Sequence, residues 1–249
     1  MEKKINIIVP LAGKDKNFEE RGLCKPLVEV SGKTAIQWIA ESRPFSYKDA
    51  IFILLKEHQE KYKLGDRLRE IIGKDIRIIW VEQPTQGAPH SVLLAKELIN
   101  NEDELIIDLP DQYLDLTGLM DFLKQNKEHE GIIPTFKSSY WNRGYMIIDK
   151  DGFVTNVSEK DKSPISDDST ACISYFKHGK DFVWAAEEMI RKDRRAANGG
   201  FLISLAYNEL IERGDKVGTY PCDFISTLGT IECIHAFEQH LRPLKWKTN

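Results

Sequence analysis

Short runs of Ile, Leu and Val alternate with segments of helical period along the first half of the chain. Ile5–Val9, Ile51–Leu55, Ile76–Val81 and Leu105–Asp108 are apolar without strict alternation, as strands of a parallel sheet are when both faces are covered. Between them, Thr34–Glu41, Glu57–Ile72 and Ala88–Ile99 repeat apolar residues at helical spacing. Strand and helix in alternation predict an α/β layer fold with right-handed crossovers.

The pattern changes after Gly131. Gly131–Lys137, Gly144–Asp149 and Phe153–Ser158 read as strands, and the Asp151-Gly152 step between the last two is a hairpin turn signal. Thr170–Phe176 and Val217–Cys222 are further strands; Lys180–Lys192, Phe201–Arg213 and Thr230–Leu241 are helices. The polar stretch Asp161–Asp168 is the least ordered, and no internal repeat or low-complexity tract interrupts the chain. The expectation is one domain over residues 1–249, with a Rossmann-like mixed sheet and helices on both faces. In open α/β sheets ligands bind beyond the carboxyl ends of the strands, which singles out the loops starting at Pro10, Gln83 and Asp108.

Composition narrows the classes. With 41% hydrophobic and 30% charged residues in 249, the chain is globular rather than disordered. Its 35 Lys and Arg against 39 Asp and Glu leave a net charge of −4. That balance gives no broad basic field for a polynucleotide, so no nucleic-acid partner is expected. No apolar run approaches the ~18 residues of a membrane span, and the apolar stretch Ile5–Ala12 is broken by Asn6 and Pro10. A cytoplasmic location and no membrane association are therefore expected. Cys24, Cys172, Cys222 and Cys233 are scattered, which favours buried free thiols over a zinc site or a disulfide framework. A homo-oligomer stays open, because a surface helix of an α/β fold can dimerise without a sequence signature.

The loop of residues 11–27 follows a buried strand and carries two glycines and four cations: Lys14, Lys16, Arg21 and Lys25. Glycine permits close backbone approach, and clustered cations beside backbone N–H groups suit a polyphosphate. A solvated connecting loop would read the same way. Neither GxGxxG nor GxxxxGK[ST] is present, which argues against a dinucleotide dehydrogenase or a P-loop NTPase.

The order Pro10-Leu11-Ala12-Gly13, basic loop, Lys25-Pro26-Leu27, then Ser31-Gly32-Lys33-Thr34 resembles the opening of the sugar nucleotidyltransferases. Those enzymes join a nucleoside triphosphate to a sugar 1-phosphate and release pyrophosphate, on a GT-A-like sheet. The resemblance implies that Leu11, Ala12 and Gly13 present backbone to the nucleotide and that Lys25 holds phosphate oxygens. Gln83 and Gly87, in the segment running from Val81 to Val92, match the stretch that reads the base. Asp111, just past a strand, matches the Mg²⁺ ligand, and with Lys25 it forms the implied catalytic pair. Gly144, Glu159 and Lys160 match positions that approach the acceptor sugar and its phosphate, and Thr170 stands where the family has a sugar-facing Asn. The nucleotide half would be about residues 1–130 and the acceptor half about 131–249.

The chain departs from the family pattern at several places, among them Ala88 for a Thr, Pro110 for a Gly and Cys172 for a Gly. Asp15 stands where a second Gly is usual, and Asn17 where an Arg stabilises the triphosphate. Gly200 replaces a Glu, and Thr227 a second metal carboxylate. Lys14, Lys16 or Arg21 are candidates for the missing charge, and His90 reads as a packing residue rather than a base. The leading expectation is thus an Mg²⁺-dependent nucleotidyltransferase whose substrates are an NTP and a phosphorylated sugar or small molecule. The alternative is a catalytically weak sensor or regulatory protein that binds a nucleotide or nucleotide sugar. A metal-dependent glycosyltransferase would want an Asp-x-Asp motif, which Asp111-Gln112-Tyr113 does not supply.

Overall fold

In chain order the first half of the computed structural model runs β1 (Ile5–Leu11), α1 (Lys16–Glu19), β2 (Glu29–Val30), β3 (Lys33–Thr34), α2 (Ala35–Ser42), β4 (Ile51–Leu55), α3 (Lys56–Tyr62), α4 (Leu64–Ile71), β5 (Arg77–Val81), α5 (Ala88–Leu93), α6 (Lys96–Ile99) and β6 (Glu104–Asp108). The second half adds β7 (Gln112–Leu114), α7 (Leu119–Gln125), β8 (Gly131–Lys137), β9 (Gly144–Ile148), β10 (Val154–Glu159), β11 (Asp168–Thr170), β12 (Ile173–Phe176), α8 (Gly179–Arg191), α9 (Tyr207–Arg213), β13 (Val217–Pro221), β14 (Ile225–Thr227) and α10 (Ile231–Lys245). The structure describes residues 4–245, so the ends of the expected 1–249 span lie outside the described residues.

One ten-stranded sheet passes through both halves, in the order β10-β9-β11-β8-β12-β6-β1-β4-β5, with β13 also paired to β8. β6, β1, β4 and β5 are parallel to one another; β12 joins antiparallel to β6 and carries the sheet into the second half. Successive residues face opposite layers, as strand geometry requires. Ile8, Ile51, Ile53, Leu55, Leu105 and Ile107 pack under α5, α8 and α9, while Val9, Phe52 and Leu54 pack under α2 and α4. This is the expected mixed α/β sheet with helices on both faces. The hairpin signal also holds: β9 and β10 pair antiparallel, and Gly152 takes φ +87° in the turn.

Four expected elements are interrupted, each for a visible reason. Glu57–Ile72 is two helices, because Lys63 turns left-handed at φ 56°. Beyond that turn, Gly65 lets α4 lie against Trp80, where a Cβ would meet the indole at 2.7 Å. Ala88–Ile99 loosens at Leu94–Ala95, leaving the single turn α6. Thr170–Phe176 breaks at Ala171–Cys172, because the Cys172 backbone turns to the segment after β6, accepting from Leu109 N at 2.8 Å and donating to Gln112 Oε1 at 3.0 Å. Phe201–Arg213 starts extended, because Phe201 bridges to Gly87, and passes through the 3₁₀ turn Ile203–Ala206 before α9 begins. The helices α1 and α7 and the small β7–β14 ladder were not foreseen.

Beneath the carboxyl end of β6 lies a fully buried ion pair. Arg43 and Asp108 both have side-chain exposure of 0%, with Arg43 Nε 2.6 Å from Asp108 Oδ2. The pair is bidentate: Arg43 Nη2 donates to Asp108 Oδ1 at 3.1 Å and also to the Gln112 carbonyl at 3.0 Å. Tyr47 donates its hydroxyl to the same carboxylate. Both carboxylate oxygens of Asp108 are therefore engaged, as a buried charge requires.

Candidate active site

The loop after β1 is held by its own local chemistry. Asp15 caps α1, its Oδ1 accepting from Asn17 N at 3.2 Å, the ordinary role of Asp at a helix start. Phe18 is fully buried among Val30, Ile39 and Phe237 and anchors the loop to the body of the protein. Lys25, Pro26 and Leu27 form one 3₁₀ turn with Pro26 buried, which leaves Lys25 facing inward. Gly13 has open space on its Cβ side.

Between this loop and the end of β6 is a cavity of about 260 Å³. Its lining includes Leu11, Ala12, Gly13, Lys25, Gly87 and Asp111, which places six of the expected site residues on one wall system. Lys25 Nζ lies 2.7 Å from Asp111 Oδ1 and 3.5 Å from Asp15 Oδ2. Burial pulls the lysine downward, but the charges of Asp111 and then Asp15 outweigh it, so its pKa stands above the ordinary value. Asp111 is fixed through its backbone, its carbonyl accepting from Leu228 N at 2.7 Å.

Gln83 is exposed and is not among the residues lining the cavity. Gly87 is required for a different contact from the one the sequence suggests. Its φ is +138°, and a Cβ there would stand 2.3 Å from the Phe201 carbonyl oxygen. The glycine thus lets the loop after β5 pair with a strand-like residue of the second half.

Gly144, Glu159 and Thr170 converge at a second place. A Cβ on Gly144 would fall 2.2 Å from Glu159 Oε1 and 2.4 Å from Thr170 Oγ1. Glu159 is buried and accepts from the Ser204 hydroxyl; burial raises its pKa, opposed by Ser204, Lys160 and Thr170. Lys160 follows with φ 57°, its backbone N bonded to Arg143 O at 2.8 Å and its ammonium 3.5 Å from Asn142 Oδ1. Cys172 stands between β11 and β12. Burial, then Asp111 and Asp108, and at longer range Glu159, push its thiol above the usual range against the pull of Arg43. Among the described residues all four cysteines are free.

The departures now have positions. Asp15 faces inward to Lys25 rather than outward. Lys14 lines the cavity but pairs with Glu57 at 2.5 Å. Arg21 turns back to donate to Asn17 O at 2.6 Å, and neither it nor Lys16 lines the cavity. Gly200 donates its N–H to Asn198 Oδ1 at 3.1 Å. Thr227 pairs with Gln112, beside Asp111, and its hydroxyl accepts from Gly229 N at 3.3 Å. His90 packs on Phe201 with ring centroids 5.1 Å apart. Its pKa is lowered by burial and then by Arg195.

The cavity wall also contains Glu19, His58, Tyr62, Thr85 and Ser91, which sequence reasoning missed. A signal for His58 existed: it lies just past β4, whose carboxyl end opens on the same edge as β1. The described residues hold one cluster of three possible metal-ligand side chains, Glu130, His178 and Asp181. It lies at the opposite end of the sheet from Asp111, beside Asp103, and its carboxylates already pair with Lys177 and Arg213. No helix among the described residues is long and apolar enough to cross a membrane.

Comparison with known proteins agrees with the fold. Residues 21–225 match the model of the family described as nucleotidyl transferase. The bifunctional protein GlmU of Clostridioides difficile is 24% identical over 229 residues, covering 89% of this chain and 47% of that protein. The chain thus spans about half the length of that curated relative. A nucleoside-diphosphate-sugar pyrophosphorylase from Vibrio cholerae superposes with a TM-score of 0.75 at 19% identity, covering 94% of this chain and 99% of that one. A UDP-glucose pyrophosphorylase complexed with UDP-glucose gives 0.72 at 17% identity, covering 96% and 99%. A glucose-1-phosphate thymidylyltransferase from Bacillus anthracis gives 0.72 at 16%, covering 96% of each chain.

Proposed function

Because the chain belongs to the nucleotidyl transferase family, a family of enzymes, we propose that it joins a nucleoside triphosphate to a sugar 1-phosphate or a related phosphorylated small molecule. The observation that carries this reading is the cavity beyond β1 and β6, where Lys25 and Asp111 meet under a glycine-bearing loop. A phosphate oxygen of the acceptor attacks the α-phosphorus. The bond from that phosphorus to the α,β-bridging oxygen breaks, and pyrophosphate leaves with the electron pair. No protein nucleophile is needed, so positioning and electrostatics do the catalysis.

In this reading Leu11, Ala12 and Gly13 give the nucleotide their backbone. Lys25, kept protonated by its two carboxylate neighbours, turns its ammonium to the phosphate oxygens. Gln83 at the rim and Gly87 are assigned to the base, Gln83 on the family resemblance alone. Gly144, Glu159, Thr170 and Lys160 face the acceptor, with Lys160 toward its phosphate. Residues up to about 130 then serve the nucleotide and those after it the acceptor.

The donor set suits a hard divalent cation, since Asp111 presents a carboxylate oxygen into a cavity meant for phosphates. Mg²⁺ is the cofactor proposed, and when bound it would neutralise charge on phosphate oxygens. The Glu130, His178 and Asp181 cluster is not the place for it.

The test is thermal unfolding with each common NTP, with and without Mg²⁺. A ligand at about 100 times its Kd adds roughly 2.7 kcal/mol, a rise on the order of 5–10 °C at this size. A shift with one NTP, followed by pyrophosphate release with a phosphorylated acceptor, supports the assignment. A nucleotide shift with no pyrophosphate from any acceptor would move the chain to the sensor reading.

A further inference from the structure

We propose that Asp15 acts with Asp111 to hold the divalent cation that accompanies the nucleotide, Asp15 supplying the carboxylate that the strand beside Asp111 lacks. This rests on the nucleotidyl-transfer reading of the cavity.

Two carboxylates repel unless positive charge lies between them. Asp15 Oδ2 and Asp111 Oδ1 nonetheless face one point, occupied in the resting protein by Lys25 Nζ at 3.5 and 2.7 Å. The orientation of Asp15 is set by its cap: Oδ1 is committed to Asn17 N, so Oδ2 turns inward. Asp111 is set by the Leu228 N–H on its carbonyl. On the other side of Asp111, β14 offers only Thr227 opposite Gln112, and that hydroxyl is engaged with Gly229 N. A neutral hydroxyl is a weak ligand for a hard cation, whereas a second carboxylate meets its usual demand for one or two.

Charge balance points the same way. The cavity is lined by Lys14 and Lys25 against Asp15, Glu19 and Asp111, and Lys14 is already paired with Glu57. If Lys25 turns to a triphosphate, Asp15 and Asp111 are left facing each other and the anion with no cation between them. They can face a bound nucleotide only with a replacement positive charge. Asp15 is therefore not a defect in the phosphate loop but one half of a cation site that Lys25 fills at rest.

The experiment uses Mn²⁺ as a paramagnetic probe, titrated by electron paramagnetic resonance into the full chain with a non-hydrolysable analogue of the NTP found by thermal shift. Asp15→Asn keeps the helix cap, because Asn is as good a cap as Asp, so folding is preserved. It should weaken Mn²⁺ binding in the ternary complex by at least about 10-fold, since loss of even an outer-shell partner costs that much. Adding Thr227→Asp to that variant should recover most of the loss, since residue 227 flanks Asp111 from the other side. Wild-type protein that binds the analogue and Mn²⁺, with Asp15→Asn binding Mn²⁺ within twofold of it, overturns this proposal alone. A double variant as weak as Asp15→Asn overturns the exchange of positions. A wild type that binds neither overturns the nucleotide reading together with this one.

Discussion

Asp108→Asn isolates the buried pair beneath the site. The substitution keeps shape and volume but removes the charge that answers Arg43, whose side chain has no exposure at all. The new amide must also turn a donor toward Arg43 or Tyr47, both of which donate to Asp108. Removing one partner of a buried ion pair costs about 3–5 kcal/mol, which at 2–4 °C per kcal/mol for a chain of this size is a fall of roughly 6–20 °C in Tm. Differential scanning calorimetry reads it directly. Tyr47→Phe, which loses one hydrogen bond to a charged group, should cost less, about 1.5–3 kcal/mol. Replacing both charges, as Arg43→Met with Asp108→Leu, should recover much of the loss, because no charge is stranded. Turnover of Asp108→Asn, measured below its own midpoint, should fall too, since Arg43 also holds the Gln112 carbonyl next to Asp111. A Tm within about 2 °C of wild type in Asp108→Asn would refute the reasoning, because so small a change leaves well under 3 kcal/mol for the pair.

Lys25→Ala and Asp111→Asn should each cut turnover by on the order of 10²–10³, the cost of losing one charge-stabilising group, as read by pyrophosphate release; wild-type rates in both would sink the assignment. Gly87→Ala should destabilise by on the order of 3 kcal/mol, combining a strained φ with a clash on the Phe201 carbonyl, seen as a lower urea midpoint. Glu159 has a raised folded pKa, so the folded state holds its proton more tightly than the unfolded chain. Its contribution is full below the unfolded carboxylate pKa and is lost as pH rises through the folded value. Across that window the slope of stability against pH should be more negative in wild type than in Glu159→Gln; an unchanged slope would remove Glu159 as a contributor.

The sheet was legible because its signal is local. Runs such as Ile51–Leu55 are buried on both faces, and no other element type fits five such residues before a helix. Breaks in elements were less legible, because their causes are distant in sequence. Lys63 turns where Gly65 must clear Trp80, and the strand through Thr170 is divided by a contact with Leu109 and Gln112. The candidate site shows the same split. Lys25 and Asp111 could be named from motifs flanking strands. Asp15 shows in the sequence only as a departure from a Gly; which way its carboxylate points depends on the cap it makes, Oδ1 on Asn17 N and Oδ2 toward Lys25. Gln83 shows the converse: its motif is plain in the sequence, yet its side chain is exposed outside the cavity lining.

In the proposed reading, the hold of Asp15 and Asp111 on Lys25 also governs how a nucleotide arrives. Clefts lined by one sign of charge draw distant ions in and raise association rates by about 10–10³, an effect that salt abolishes. Here two lysines at the cavity, Lys14 and Lys25, stand against four carboxylates, Asp15, Glu19, Asp111 and Glu57, so the field at the mouth does not draw an anion in. Encounter gains nothing from steering, and the association rate of an anionic nucleotide should not fall as ionic strength rises. Affinity is then decided after contact, by how readily the ammonium changes partners and how long the complex lasts.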